Sequence, residues 1–416
     1  MRLSRRALLT GSAALAAGAA LGVRPPRALA APPDRKFLFL YAGGGWDTTT
    51  VLDPHFERDG VDMDPDTTLG SAGNLRWTAG DDRPSVSRFF TRWGGRACIV
   101  NGIDAHSVGH DSAQQFVMTG TSASSYADWP TLLAAHGQSD YPLPHVVFSG
   151  PSFAGTHGAT LVRAGGGTLL ELIDGSILGR ADAPTPVPAQ PQNGLVDTFV
   201  RNRAAAFAAT KSGQGRARAE ALLSNLERGM ELEGRAFEAG LSDLGRSVID
   251  QATQASELFR LGLSRCAMIQ IDGGYDTHGD AAAQAPQQDE LFAVLDTLMD
   301  HLARTPGDNA SRLIDEVVIV ALSEFGRTPL LNGGGGKDHW PYGSALLVGS
   351  GVAGNRVVGR TDAGLIAQDI DFATGEASSS GSHLACEHVG TALLAIGGLN
   401  PEEHLPGVQV LDAVIG

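Results

Sequence analysis

Cysteine is scarce in this chain: 416 residues contain 3, namely Cys98, Cys266 and Cys386, far apart and mostly set in apolar runs. An odd count at such spacing leaves no disulfide framework and no zinc-finger pattern, so buried thiols are the plain reading. Basic residues are also few, 31 against 46 acidic ones, for a formal net charge of −15. Five of them (Arg2, Arg5, Arg6, Arg24 and Arg27) fall in the first 30 residues, and without these the balance is 26 against 46, or −20. Such a surface repels a polyphosphate backbone and argues against general nucleic-acid binding. Past the N-terminal region there is no apolar run of the roughly 18 residues that a membrane span needs, so no integral span is expected once a leader is removed. What is present is a 42% hydrophobic chain with 54 Gly and 21 Pro, long enough for a sizeable core and unlike a disordered sequence.

Residues 1–31 read as a twin-arginine signal peptide. Arg5 and Arg6 stand side by side, a mildly apolar Ala/Gly/Leu stretch follows, and Ala28-Leu29-Ala30 gives the small-x-small end. This predicts export to the periplasm or the extracellular space. The minor alternative is an uncleaved N-terminal anchor.

Short apolar runs at residues 36–42, 97–101, 143–148, 266–271, 316–322 and 345–348 predict strands. Helical periodicity marks residues 289–302 and 383–396. From residue 216 to 261 the pattern becomes Ala/Leu/Glu/Arg with apolar residues three and four apart, preceded by the Pro-rich connector 181–191. Residues 150–262 therefore read as a mainly helical insertion in a domain spanning 32–416. Strands alternating with helices predict an α/β fold with a mostly parallel central sheet covered by helices on both faces.

Chemistry in open α/β sheets sits past the carboxyl ends of strands. Four such places carry polar clusters: Asp47 with three threonines; Asp104, His106, His110 and Asp111; DGGYDTHGD at 272–280; and Glu324 and Arg327, followed by a glycine loop and Lys337-Asp338-His339-Trp340. Carboxylates and imidazoles converging from separate loops suit a divalent cation, which needs lone pairs about 2.0–2.2 Å away. Asp47, Asp276, His278, Glu324 and His339 are the candidate ligands. A helix-capping role competes for Asp47, and a hydrogen-bonded turn for Asp276 and His278. Arg327 and Lys337 are candidates to neutralise charge on a transferred group, or else ion-pair partners of the nearby acids. His383 and His388 read as structural, and His136, His145, His301 and His404 have no clustered partners.

Two motifs fail. Gly349-Ser350-Gly351-Val352-Ala353-Gly354 has dinucleotide-loop spacing, but a strand-like NRVVGR follows where a helix must open. Residues 333–337 suggest a phosphate loop, but Leu331 stands at its first glycine and Asp338 where Ser or Thr is required.

Together, the leader, GGGWDTT, GGYDTHGD, SEFGRTP and KDHW resemble the bacterial domain-of-unknown-function 1501 family, which is itself similar to the alkaline phosphatase/sulfatase superfamily. The resemblance implies an alkaline phosphatase-like sandwich holding one or two divalent ions, of which Zn, Mn, Fe and Ca are not distinguished. By position it implies Asp47 as the first-strand ligand, Asp276, His278 and His339 as ligands of the other metal position, and Glu324 at the start of the strand-end acid pair. Two departures stand out. His110 falls where the superfamily has its Ser, Thr or modified Cys nucleophile, and Phe325 where it has a ligand His. His110 would then be a replacement ligand or a nitrogen nucleophile.

The leading expectation is an exported metal-dependent, sulfatase-like hydrolase of phosphate or sulfate esters. The alternative is a non-catalytic relative that binds a cell-surface polymer or a protein partner. Mutase or oxidoreductase chemistry comes third.

Overall fold

KFLFLY forms strand β1 (Lys36–Tyr41), and all six residues are buried because both faces of the sheet are covered. In the computed structural model, residues 34–164, 190–233, 246–271 and 273–416 are described. The leader, residues 181–189 of the connector and Asp272 lie outside the described residues.

The elements that follow are β2 (Thr68–Ala72), β3 (Leu75–Ala79), α1 (Pro84–Trp93), β4 (Ala97–Asp104), α2 (His110–Thr119), α3 (Trp129–Ala135), β5 (His145–Val147) and β6 (Leu161–Arg163). Next come α4 (Gln190–Thr210), α5 (Gly213–Glu233), α6 (Val248–Arg260), β7 (Cys266–Gln270), α7 (Gln284–Arg304) and β8 (Val317–Leu322). The chain continues through β9 (Gly326–Arg327), β10 (His339–Trp340), β11 (Tyr342–Gly349), β12 (Arg356–Val358) and α8 (Cys386–Ile396).

Eight strands make the central sheet in the order β12-β4-β11-β8-β1-β7-β5-β6. All neighbouring pairs are parallel except those of β11, which runs antiparallel between β4 and β8. Alternate side chains enter opposite cores, as period-two strand geometry requires. Leu38 and Leu40 pack with α1, α6 and α7, whereas Phe37, Phe39 and Tyr41 pack with α2, α3 and α8. The chain thus has the predicted α/β architecture, with a mostly parallel sheet and helices on both faces.

The helical block is narrower than 150–262. Leu161–Arg163 pairs in parallel with β5 and forms the sheet edge. Helix α6 buries Ala252, Ala255, Leu258 and Phe259 in one of the two cores. Its Ser247 begins a capping box with Asp250. Only α4 and α5 stand as a helical pair within that span among the described residues.

Candidate metal centre

Because β1, β4, β7 and β8 run the same way, their carboxyl ends share one edge of the sheet. The edge carries Gly43–Asp47, His106–His110, Tyr275–His278 and Ser323–Arg327. The β9–β10 ribbon pairs His339 with Arg327 and so returns the KDHW segment to the same place.

Asp276 is the hub. Its Oδ1 accepts from Arg327 Nη2 at 2.6 Å and lies 3.1 Å from His278 Nε2 and 3.2 Å from His339 Nε2. Its Oδ2 lies 3.5 Å from His110 Nε2. Burial opposes the charge on this carboxyl, but hydrogen bonds from Arg327 and His339 outweigh it and hold the group at about 2. It is ionised at any ordinary pH.

The three imidazoles are oriented alike. His278 Nδ1 meets Asp338 Oδ1 at 2.8 Å, His339 Nδ1 meets the Val108 carbonyl at 2.7 Å, and His110 Nδ1 meets Glu324 Oε1 at 2.8 Å. Each of these partners accepts only, so each Nδ1 donates to it, and the three Nε2 atoms turn towards the Asp276 carboxylate, the orientation that metal-binding histidines take. His278 Nε2 and His339 Nε2 then face each other at 2.9 Å. Among the described residues, His110, Asp276 and His339 also offer ligand atoms that all lie within 4.8 Å of one another. The donor set, imidazole nitrogens about a carboxylate, fits a divalent ion of the zinc, manganese or iron kind.

The surroundings fix this geometry. Phe325 is fully buried and lays its ring 5.0 Å from that of His110 and 4.5 Å from that of His339. It lines this side of the cluster with an apolar floor. Glu324, almost fully buried, accepts from the Gly44 backbone N–H at 2.8 Å and from Ser323 Oγ at 2.9 Å. It therefore holds His110, and Asp276 holds the imidazole nitrogens. Gly44 has φ +117°, and a Cβ there would stand 2.6 Å from the Asp276 amide nitrogen. Only glycine lets these two loops approach so closely. Burial, with the Glu324 charge next, pushes the nearby Tyr41 hydroxyl far up.

Asp47 and Lys337 pair with each other, and Arg327 braces Asp276. Asp47 Oδ1 caps the Thr48–Thr50 turn by accepting from the Thr49 amide, and its Oδ2 pairs with Lys337 Nζ at 2.7 Å, with both side chains buried. Lys337 also donates to Thr49 Oγ1 at 3.1 Å. Arg327, fully buried, donates to the carbonyls of Gly44, Gly45, Tyr275 and Lys337 as well as to Asp276. The ion-pair alternative for these two cations, and the capping alternative for Asp47, describe the geometry seen. Both cations are buried with their charges paired, so neither is free to meet a transferred group.

The sequence reading missed several features. HDSAQQFVMT forms helix α2, ended by Gly120 at φ +71°, and that glycine is the sequence signal for the helix end. His136 and His404, expected to be solitary, have rings 4.8 Å apart, with His157 5.1 Å from His136. His388 does prove structural: its Nδ1 accepts from the Ala385 N–H. His106, Cys386 and Glu387 meet across some 280 residues, and no spacing rule could have joined them.

The fold and this cluster define an α/β protein with a candidate divalent-metal centre at the carboxyl edge of a mostly parallel sheet. Residues 34–371 match the family described as "Protein of unknown function (DUF1501)", and the chain belongs to that family. No curated protein matches in sequence. Among solved structures, a protein in the alkaline phosphatase superfamily from Vibrio parahaemolyticus has a TM-score of 0.38 at 9% identity, with 88% of this chain and 67% of that chain covered. Ps i-CgsB in complex with k-i-k-neocarrahexaose gives 0.38 at 9%, over 90% and 75%. BT4656 in complex with its substrate D-glucosamine-2-N,6-O-disulfate gives 0.33 at 10%, over 88% and 77%. Among the described residues, no helix is long and apolar enough to cross a membrane.

Proposed function

We propose that this protein is an exported, metal-dependent hydrolase of small phosphate or sulfate esters, with Asp276, His278 and His339 holding one divalent ion. The observation that carries this reading is the convergence of the His278 and His339 Nε2 atoms, 2.9 Å apart, on the ionised Asp276 carboxylate, with each Nδ1 held by an acceptor. One carboxylate oxygen and two imidazole nitrogens gathered in this way offer a divalent ion three ligand atoms. A bound divalent ion supplies Lewis-acid polarisation of an ester oxygen.

The rest of the work falls to the chain. Arg327 fixes the Asp276 carboxylate, and Asp338 and the Val108 carbonyl fix the two ligand imidazoles. His110 is the general base: its Nε2 takes a proton from the attacking water, while Glu324 at Nδ1 stabilises the imidazolium that forms. This division makes His110 a catalytic residue and Glu324 a positioning residue. The leader Arg5-Arg6 supports export by the twin-arginine route.

One observation favours the second reading, a non-catalytic protein that binds a cell-surface polymer or a partner. Arg327 and Lys337 are both spent inside the protein, which leaves transferred-group charge to the metal alone.

The test is metal analysis of protein purified from its native compartment, followed by a panel of aryl and sugar phosphates and sulfates with and without chelator. Turnover that chelator abolishes and His110→Gln lowers at least about 100-fold, with metal retained, supports the hydrolase. Metal without turnover selects the binding reading. Protein that takes up no divalent metal overturns the hydrolase.

A further inference from the structure

The end of β4 carries a second group of metal-capable side chains, apart from the Asp276 cluster. An isolated parallel bridge from Asp104 to Ala385 sets the start of α8 beside that strand end. There His106 Nε2 lies 2.9 Å from Glu387 Oε2, and Cys386 Sγ lies 3.5 Å from the same oxygen. One nitrogen, one sulfur and one oxygen all fall within 4.8 Å of one another. Ligands about 2.0–2.3 Å from a tetrahedral zinc ion stand roughly 3.3–3.7 Å apart, so only small side-chain movements separate this arrangement from a coordination shell.

The pieces are held in place. His106 has φ +57°, a conformation rare outside glycine, and its N–H donates to Asp104 Oδ1 at 2.7 Å. The other Asp104 oxygen meets His383 Nε2 at 3.0 Å, so Asp104 orients His106 rather than joining the cluster. Cys386 is buried, Glu387 is half-buried and His106 is exposed, which leaves the site open to solvent on one side. Three protein donors with an open fourth position is the plan of reactive rather than purely structural zinc sites.

We propose that His106, Cys386 and Glu387 form a second, separate site for a thiophilic divalent cation of the zinc class. The thiol releases its proton to solvent as Sγ becomes a ligand. A sulfur donor distinguishes this site from the Asp276 cluster, whose donors are nitrogen and oxygen. Cys98 and Cys266, the other two cysteines, are buried within strands of the central sheet.

The experiment is a cobalt(II) titration of the full metal-free chain, read by near-ultraviolet absorption, where a thiolate bound to cobalt gives a charge-transfer band. The expected result is such a band at one equivalent per chain, lost in Cys386→Ser and kept in His278→Ala. No band at saturating cobalt, or a band unchanged in Cys386→Ser, overturns the proposal. Should Cys386→Ser fail to fold, His106→Gln is expected to weaken the cobalt that gives this band at least about tenfold, and an unchanged affinity overturns the proposal. Failure here is separable from failure of the Asp276 centre, because cobalt bound there gives only nitrogen–oxygen ligand-field bands.

Discussion

Nε2 of His278 lies 2.9 Å from Nε2 of His339, and both nitrogens stand beside the ionised Asp276 carboxylate. The Nδ1 atoms of both rings are tied to acceptors, Asp338 and the Val108 carbonyl. Asp276 Oδ1 sits just over 3 Å from both nitrogens. Three electron-rich atoms at such distances make a site that a divalent cation stabilises.

Removing either imidazole should therefore remove the metal. His278→Ala and His339→Ala are each expected to remove one equivalent of zinc or manganese per chain by elemental analysis and to reduce the rise in Tm on metal addition. Asp338→Asn, which loosens the partner of His278 Nδ1, is expected to weaken metal binding by about 10–100-fold. Full metal occupancy in His278→Ala would remove that residue from the ligand set.

The Asp47–Lys337 pair makes the opposite prediction. Lys337→Met leaves a buried carboxylate without its counter-charge and should cost about 3–5 kcal/mol in denaturant unfolding. Metal content at saturation should be unchanged. Metal loss with unchanged stability would return Asp47 and Lys337 to the centre itself.

His145 is fully buried, with Nδ1 at 3.0 Å from Thr131 Oγ1, and burial, then the Arg163 charge, pushes its pKa down to about 3. The folded protein holds it neutral, whereas the unfolded chain protonates it near 6.5. Its contribution to stability is complete above about 6.5 and falls away as the pH drops towards about 3. Chemical denaturation from pH 7 to 4 should show a steeper loss of stability in the parent than in His145→Gln. Parallel curves would contradict this.

The proposed export rests on Arg5 and Arg6. Replacing both with lysine should leave the protein in the cytoplasm, as read by fractionation. Export at the normal rate in that variant would remove the twin-arginine assignment.

Strands such as KFLFLY and VVIVAL were legible because a doubly covered parallel sheet requires unbroken apolar runs. HDSAQQFVMT was less legible, because its apolar side chains are confined to Ala113, Phe116, Val117 and Met118 within a ten-residue helix that is otherwise polar. Asp276, His278 and His339 could be singled out because metal-capable residues crowd the ends of strands where burial gives them no purpose. Asp47 belonged to the same crowd, yet the structure commits it to Lys337.

The sequence by itself determined the sheet, its two covered faces and the strand ends at which polar residues gather, since hydrophobic periodicity is a local property. Tertiary structure alone decided which carboxylate meets which cation. Asp276 finds Arg327 across 51 residues, His110 finds Glu324 across 214, and Cys386 and Glu387 meet His106 across some 280. Those pairings depend on strand order, loop approach and side-chain direction, which no local pattern encodes.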